Sequence, residues 1–138
     1  MDHKEVKDYL LGKPEAIENY PFGPDVAVFK VKDKMFATFA LGSGHEKGTA
    51  GKMAGFYCMN LKCDPAHADA LRSIFPSVIP GYHMSKTHWN TIILDNSIPS
   101  CEIKRMIDHS YSLVVRSLKK SLREHLELIH SKEALYPD

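Results

Sequence analysis

Residues 81–94, GYHMSKTHWNTIIL, join a polar segment to a short apolar run, and this combination is the strongest indication of the fold. The polar segment holds two histidines, a lysine and the only tryptophan of the chain. Alternate side chains of a strand share a face, so Trp89 falls with Thr91, and His88 falls with Asn90. We predict a turn that leads into a core strand, with polar residues that form a candidate surface for a partner.

Outward from this strand, the sequence predicts an α+β domain. Strands that are grouped, rather than alternating with helices, are typical of an antiparallel β-sheet with helices packed on one face. The apolar spacing and the turn residues predict a helix at 2–12, one or two helical turns at 14–20, strands at 25–31, 35–41 and 54–62, a helix at 64–75, a turn at 77–82, a strand at 88–94 and a helix at 102–118.

The C-terminal stretch is predicted to extend the same domain. Residues 119–130 either continue the preceding helix or begin another, and residues 133–138 are expected to fray. We therefore divide the chain into a domain of residues 1–118 and a C-terminal helical extension of residues 119–138.

Composition is that of an ordinary globular domain of 138 residues, with 43 % apolar and 25 % charged residues. The charged N-terminus lacks the apolar core of a signal peptide, and no stretch approaches the ~20 apolar residues of a membrane span. We expect a soluble, cytoplasmic protein with no membrane partner. Its three cysteines lack CxxC spacing and are expected to be reduced and structural.

The motifs of cofactor and metal sites are not matched. The glycine-rich segment 42–52 lacks the spacing of GxxxxGK[ST] and of GxGxxG, so a loop between strands is favoured. Cys63, Asp64 and His67 are the only close group of possible zinc ligands near His83 and His88, and Asp64 is better used as a helix cap, so a tetrahedral zinc site is not predicted. We expect no cofactor and no metal.

Catalytic patterns are also weak. Asp108, His109 and Ser110 are consecutive, and neighbouring residues of a helix point about 100° apart, so they cannot form a relay on one face. We interpret them as a polar helix surface. With no GxSxG and no paired carboxylates, we expect that the protein is not an enzyme.

Several sequence segments, spread over roughly residues 1–118, resemble those of the MmcQ/YjbR family. That family is similar in fold to the bacterial frataxin homologue CyaY, so the resemblance implies an antiparallel sheet with helices on one side. The segments that show the resemblance are PFGPD (21–25), KMFA (34–37), NLKCDP (60–65), PGYHMSKTHWNTI (80–92), DNSIP (95–99) and IKRMIDHSYSLVV (103–115).

Two positions depart from the family pattern. Ser85 stands where HMNK would have Asn, which replaces an amide with a single hydroxyl. Asn96 stands where DGSIP would have Gly, and Asn tolerates the left-handed backbone that such a turn requires.

The resemblance implies DNA binding through two wing-like hairpins, with double-stranded DNA as the partner. Lysines at the predicted hairpin tip and in the glycine-rich loop would contact phosphates, which gives salt-sensitive binding with little sequence specificity. The net charge of +1 neither supports nor excludes this function. The candidate nucleic-acid-binding residues are Lys30, Lys32, Lys34, Lys47, Lys52, Lys62, Lys86 and His88.

The alternative is a non-enzymatic module that binds a protein, a second copy of the chain or a small ligand. Its candidate surface consists of His83, Trp89 and Asn90, together with His88. A frataxin-like iron role would require an acidic ridge, and the first helix interleaves its acidic residues with lysines. We therefore do not predict iron binding.

Overall fold

Five helices and six strands make up the computed structural model, which describes residues 1–138. The strands form one antiparallel sheet, in the spatial order β1-β2-β3-β4-β6-β5. In chain order the elements are α1 (His3–Leu11), β1 (Ile17–Asn19), β2 (Val26–Val31), β3 (Lys34–Leu41), β4 (Tyr57–Lys62), α2 (Pro65–Ile74), β5 (Val78–Pro80), β6 (Trp89–Ile93), α3 (Ser100–Arg116), α4 (Lys120–Ile129) and α5 (Lys132–Leu135).

Short-range signals set several of these boundaries. The side chains of Asp2 and Glu5 form a capping box at the start of α1, and Asp64 accepts backbone N–H bonds at the start of α2. The β2–β3 hairpin turns at Lys32 and Asp33, whose φ angles are +46° and +69°. Two positive φ values define the type I′ turn, whose twist matches that of antiparallel strands.

The hydrophobic core lies between one face of the sheet and the helices, and we call that side the helix face. It contains 22 buried residues, contributed by β2, β3, β4, β5 and β6 and by α1, α3, α4 and α5. The longest helix, α3, packs against β3 and β4, whereas α2 packs against β5. The largest fully buried side chains of this core are Tyr111, Phe29, Phe36, Leu10, Met59, Leu61, Ile92 and Ile107.

The other side of the sheet, which we call the open face, carries no helix. A polar row crosses it, because Thr38 pairs with Asn60 and Asn60 pairs with Thr91. The segment 42–56 folds over part of this face and places Met53 against Cys58. Gly42 permits this fold, since a Cβ atom there would lie 1.8 Å from the carbonyl oxygen of Met53.

The predicted α+β architecture, an antiparallel sheet with helices on one face, is confirmed. Three local predictions are wrong. Residues 14–20 hold the edge strand β1 rather than helical turns, and residues 77–82 contain the edge strand β5. The tail does not fray, because Leu135 is fully buried in the core and Ser131 caps α5. None of the helices combines the length and the hydropathy needed to cross a membrane.

Candidate functional site

The segment 81–88 is held down on the open face by the polar row. The backbone N–H of Tyr82 donates to Thr91 Oγ1 at 2.9 Å, and Asn60 Nδ2 donates to the Tyr82 carbonyl at 3.3 Å. The Thr91 hydroxyl in turn donates to Asn60 Oδ1. These partly buried hydrogen bonds fix the turn predicted at Gly81, so the turn is held firmly against the sheet.

This turn positions Trp89 at the start of β6. The Gly81 N–H donates to the Trp89 carbonyl at 2.9 Å, and a Cβ atom on Gly81 would lie 2.8 Å from Trp89 Cβ. Lys86 Nζ donates to the Gly81 carbonyl at 3.0 Å. Trp89 is half-buried and is the cross-strand partner of Lys62, so the two side chains are neighbours on the open face.

The tip of the β2–β3 hairpin is packed against the C-terminal helices. Lys32 Nζ lies 3.0 Å from Glu15 Oε1 and 3.0 Å from His125 Nδ1. Lys34 Nζ donates to the Ser117 carbonyl at 3.3 Å. Both tip lysines therefore have partners within the protein, and the hairpin does not project as a separate wing.

A different set of predicted cations gathers at one end of the open face. Residues Lys30, Lys62, Lys86 and His88 lie at or next to the strand ends that the register brings to this end of the sheet. Lys30 alternates with the core residues Phe29 and Val31, which directs its side chain to the open face. None of these four side chains has a carboxylate within 4.0 Å.

The remaining predicted cations, Lys47 and Lys52, belong to the segment that joins β3 to β4 at the opposite end of the sheet. Both are exposed. The nearby Glu46 is turned into its own loop, where a hydrogen bond from the Ser43 hydroxyl, with further backbone N–H bonds, lowers the pKa of its carboxyl. The eight predicted residues therefore divide into three groups and do not form one patch.

The candidate partner surface is also divided, and the inclusion of Asn90 in it is wrong. His83 is exposed beside Tyr82, with ring centroids 4.1 Å apart, and belongs to the same turn that positions Trp89. Asn90 instead alternates to the helix face, where it is 1 % exposed and accepts a hydrogen bond from Arg72 Nε at 2.7 Å.

Arg72 is not among the residues predicted from the sequence. It reaches from α2 to the carbonyls of Lys86 and Trp89 as well as to Asn90, so it ties the turn to β6. One signal was available, because Arg72 follows the fully buried Ala68 by four residues and therefore shares its side of the helix.

A cleft of about 760 Å³ opens on the helix face between α2 and α3. Its floor includes Leu61, Ile92 and Asn90, and His67 and His109 lie on its walls with ring centroids 5.2 Å apart. No group of three or more His, Cys, Asp and Glu side chains is placed to hold a metal ion.

The cysteines are free thiols, and Cys58 and Cys63 are buried while Cys101 is exposed. Burial raises the pKa of Cys58 to about 12 and that of Cys63 to about 11. Thiols with such values carry almost no thiolate near neutral pH, so the Cys63 thiol in the cleft is a poor nucleophile.

The interpretation of residues 108–110 as a polar helix surface is wrong. Asp108 accepts hydrogen bonds from Tyr9 and Lys13, and the backbone N–H of Asp64 donates to His109 Nε2 at 3.2 Å. Ser110 is fully buried on the core side of α3. Each polar group has a structural partner, and no relay joins the three.

The fold defines the class of protein first: a small α+β protein with an open antiparallel sheet, helices on one face and a cleft between two of them. The sequence model of the YjbR family matches residues 11–113. This chain therefore belongs to the YjbR family, as the resemblance predicted.

Relatives and solved structures agree with this assignment. The chain is 30 % identical to the uncharacterised protein YjbR of Escherichia coli K12 over 126 residues, 91 % of this chain and 98 % of that protein. It is 32 % identical to the uncharacterised protein YbdF of Escherichia coli O157:H7 over 118 residues, 86 % of this chain and 88 % of that protein.

The crystal structure of the Deinococcus radiodurans protein DR2400, with a DUF419 domain, is similar with a TM-score of 0.75 and 28 % identity, covering 91 % of this chain and 88 % of that one. A crystal structure of a Pseudomonas syringae protein is similar with a TM-score of 0.71 and 29 % identity, covering 82 % of this chain and 98 % of that one.

Proposed function

We propose that this protein binds double-stranded DNA without catalysing a reaction, through phosphate contacts from one end of the open face. The observation that carries the proposal is the neighbouring pair Lys62 and Trp89, with Lys30, Lys86 and His88 toward the same end of the sheet and no carboxylate paired to any of these cations. An unpaired cation keeps its full charge for a phosphate and releases a counterion when it binds.

The geometry favours this surface over the hairpin tip. A phosphate contact by Lys32 would have to displace Glu15 and His125, whereas Lys62 has no ionic partner to give up. The lysines would contact phosphates rather than base edges, so the binding would depend little on DNA sequence. Three or four phosphate contacts correspond to a slope of log K against log salt of about −3 to −4.

The experiment is a fluorescence-anisotropy titration of a labelled random-sequence duplex at several salt concentrations, with Trp89 emission followed in parallel. The variant K62A/K86A removes two face cations and should make the slope shallower by about two. The control variant K32A removes the tip cation that is already paired with Glu15, and its slope should equal that of the wild type. The variant K62R/K86R keeps both charges and should keep the slope.

Each outcome decides between surfaces. A shallower slope in K32A with an unchanged slope in K62A/K86A would assign the contact to the hairpin tip and overturn the proposed surface. No binding at low salt with tens of micromolar protein would overturn DNA binding itself.

A further inference from the structure

The cleft between α2 and α3 has the dimensions of a small-molecule site. It exists because α2 packs on β5 while α3 packs on β3 and β4, which leaves the sheet uncovered between the two helices. Its volume of about 760 Å³ falls in the range of ligand sites, roughly 300–1,000 Å³. Apolar side chains of Leu61, Leu71, Ile92 and Met106 line it.

One polar group in the cleft has an unused donor. Asn90 is 1 % exposed, and its Oδ1 accepts the hydrogen bond from Arg72, but its Nδ2 has no hydrogen-bond partner. Buried polar atoms are nearly always paired, so an orphaned amide nitrogen in a cleft calls for an explanation. A ligand oxygen that reached Nδ2 would supply the missing acceptor.

Arg72 makes this donor selective for a negative charge. Its guanidinium is held by Asn90 Oδ1, by the carbonyls of Lys86 and Trp89, and by Asp69 at 3.5 Å. A cation that donates to one end of an amide polarises it and strengthens the N–H donors at the other end. Hydrogen bonds to an ionised acceptor are stronger than those to a neutral one, so Nδ2 favours an anionic oxygen.

The carboxylates that line the cleft are already neutralised within the protein. Glu102 pairs with Arg105 at 3.2 Å, and Asp108 pairs with Lys13. Asp138 lies 3.0 Å from His109 Nδ1 and also pairs with Arg116.

Lys104, which also lines the cleft, has no carboxylate within 4.0 Å. Among the polar groups that remain free there, Lys104 and the Asn90 amide nitrogen are donors only, and the His67 imidazole can also donate.

We infer that the cleft between α2 and α3 binds a small organic anion, whose anionic oxygen accepts a hydrogen bond from Asn90 Nδ2 and whose apolar body lies along Leu61, Leu71 and Met106. The chemistry is shared by carboxylates and phosphate monoesters, and the test separates them. This site is built on the helix face and the proposed DNA surface on the open face, with Lys62 at the border of both. The N90D variant removes none of the cations proposed to contact DNA, so it tests the cleft separately.

The probes are three compounds with one apolar body: 4-phenylbutyrate, the neutral 4-phenylbutyramide and 4-phenylbutyl phosphate. Each is titrated into the ¹⁵N-labelled full chain and followed by ¹H–¹⁵N NMR. We expect an anionic probe to shift the Asn90 side-chain amide and the backbone amides of Leu71 and His109, and to bind at least tenfold tighter than the neutral amide. Binding by one anion and not the other assigns the ligand's charged group.

The variant N90D is the matched control. It keeps Oδ1 for Arg72 and replaces the orphaned nitrogen with an acceptor, so it should weaken the anion at least tenfold and leave the neutral probe unchanged. Equal binding of the anions to N90D and to the wild type would overturn the inference, as would the absence of cleft shifts with every probe at several millimolar.

A second variant covers the case in which N90D does not fold. L71W places a larger side chain in the cleft and should abolish binding of the anion. Retention of the wild-type affinity by L71W would place the anion outside the cleft and overturn the inference.

Discussion

Replacement of Ser110 by alanine tests how α3 is joined to the sheet. The Ser110 hydroxyl donates to the Phe36 carbonyl at 2.6 Å and accepts the backbone N–H of Lys62 at 2.9 Å. The β3–β4 pairing ends one rung earlier, at Ala37 and Leu61. The hydroxyl thus takes the place of the next rung between the two strands, because it satisfies one group of each.

The expected loss of stability follows from these two contacts. The S110A variant leaves the Phe36 carbonyl and the Lys62 N–H without their partner, and an orphaned buried group costs about 1–3 kcal/mol. We expect a loss of about 2–4 kcal/mol in the free energy of unfolding. Domains of this size have about 5–15 kcal/mol in total, so the variant should fold but with much reduced stability.

Urea denaturation followed by circular dichroism measures this loss. With a slope of about 2 kcal/mol per molar urea, the midpoint should fall by roughly 1–2 M. The matched control is S112A, in the same helix, where the fully buried hydroxyl makes no hydrogen bond of normal geometry but faces Asp138, whose carboxyl pKa it lowers against the opposing effect of burial. Its removal should cost at most about 1 kcal/mol, because only a contact with a partly exposed carboxylate is lost and no backbone group of the sheet loses its partner. If S110A and S112A lost equal stability, the bridging role of Ser110 would be refuted.

Two further predictions concern the open face and the C-terminal helices. The T91V variant removes the acceptor of the Tyr82 N–H and should cost about 1–3 kcal/mol, with faster hydrogen exchange at the Tyr82 amide as the local readout; unchanged exchange would contradict the anchoring role. Hydrogen bonds from His130 and then Lys32 lower the pKa of the Glu15 carboxyl below its ordinary 4.5. The ionised carboxylate therefore stabilises the fold above pH 4.5. This stabilisation is lost as the pH falls through the pKa that Glu15 has in the folded protein. The E15Q variant should therefore be less stable than the wild type by up to about 1 kcal/mol near neutral pH, and a difference that persisted in acid would contradict the ion-pair account.

Much of the fold could be predicted from local patterns. The apolar stripe of α3, the polar turn at Lys32 and Asp33 and the cap at Asp64 each depend on residues close together in the chain. The edge strands β1 and β5 could not be predicted in the same way. Each has three residues and is a strand because a longer neighbour pairs with it, so tertiary context overrides the weak local propensity.

The candidate sites were harder to predict because they depend on long-range placement. Strand alternation predicts that Trp89 and Asn90 lie on opposite faces, and the structure confirms this, so the candidate surface that joined the two residues was wrong. Nothing near Lys32 in sequence indicates that His125 lies beside it, since the two residues meet through the docking of α4. The Arg72–Asn90 contact likewise joins two elements through packing that no motif records.

The short edge strands of the sheet affect how copies of the chain can associate. A long edge strand with unpaired backbone groups is a template on which a strand of another chain can pair, and repeated pairing leads to aggregation. Here both edge strands, β1 and β5, have only three residues, and β5 ends at Pro80, which has no N–H to donate. Strand-to-strand addition between molecules is thereby discouraged, and any assembly of this protein is directed to its side-chain surfaces.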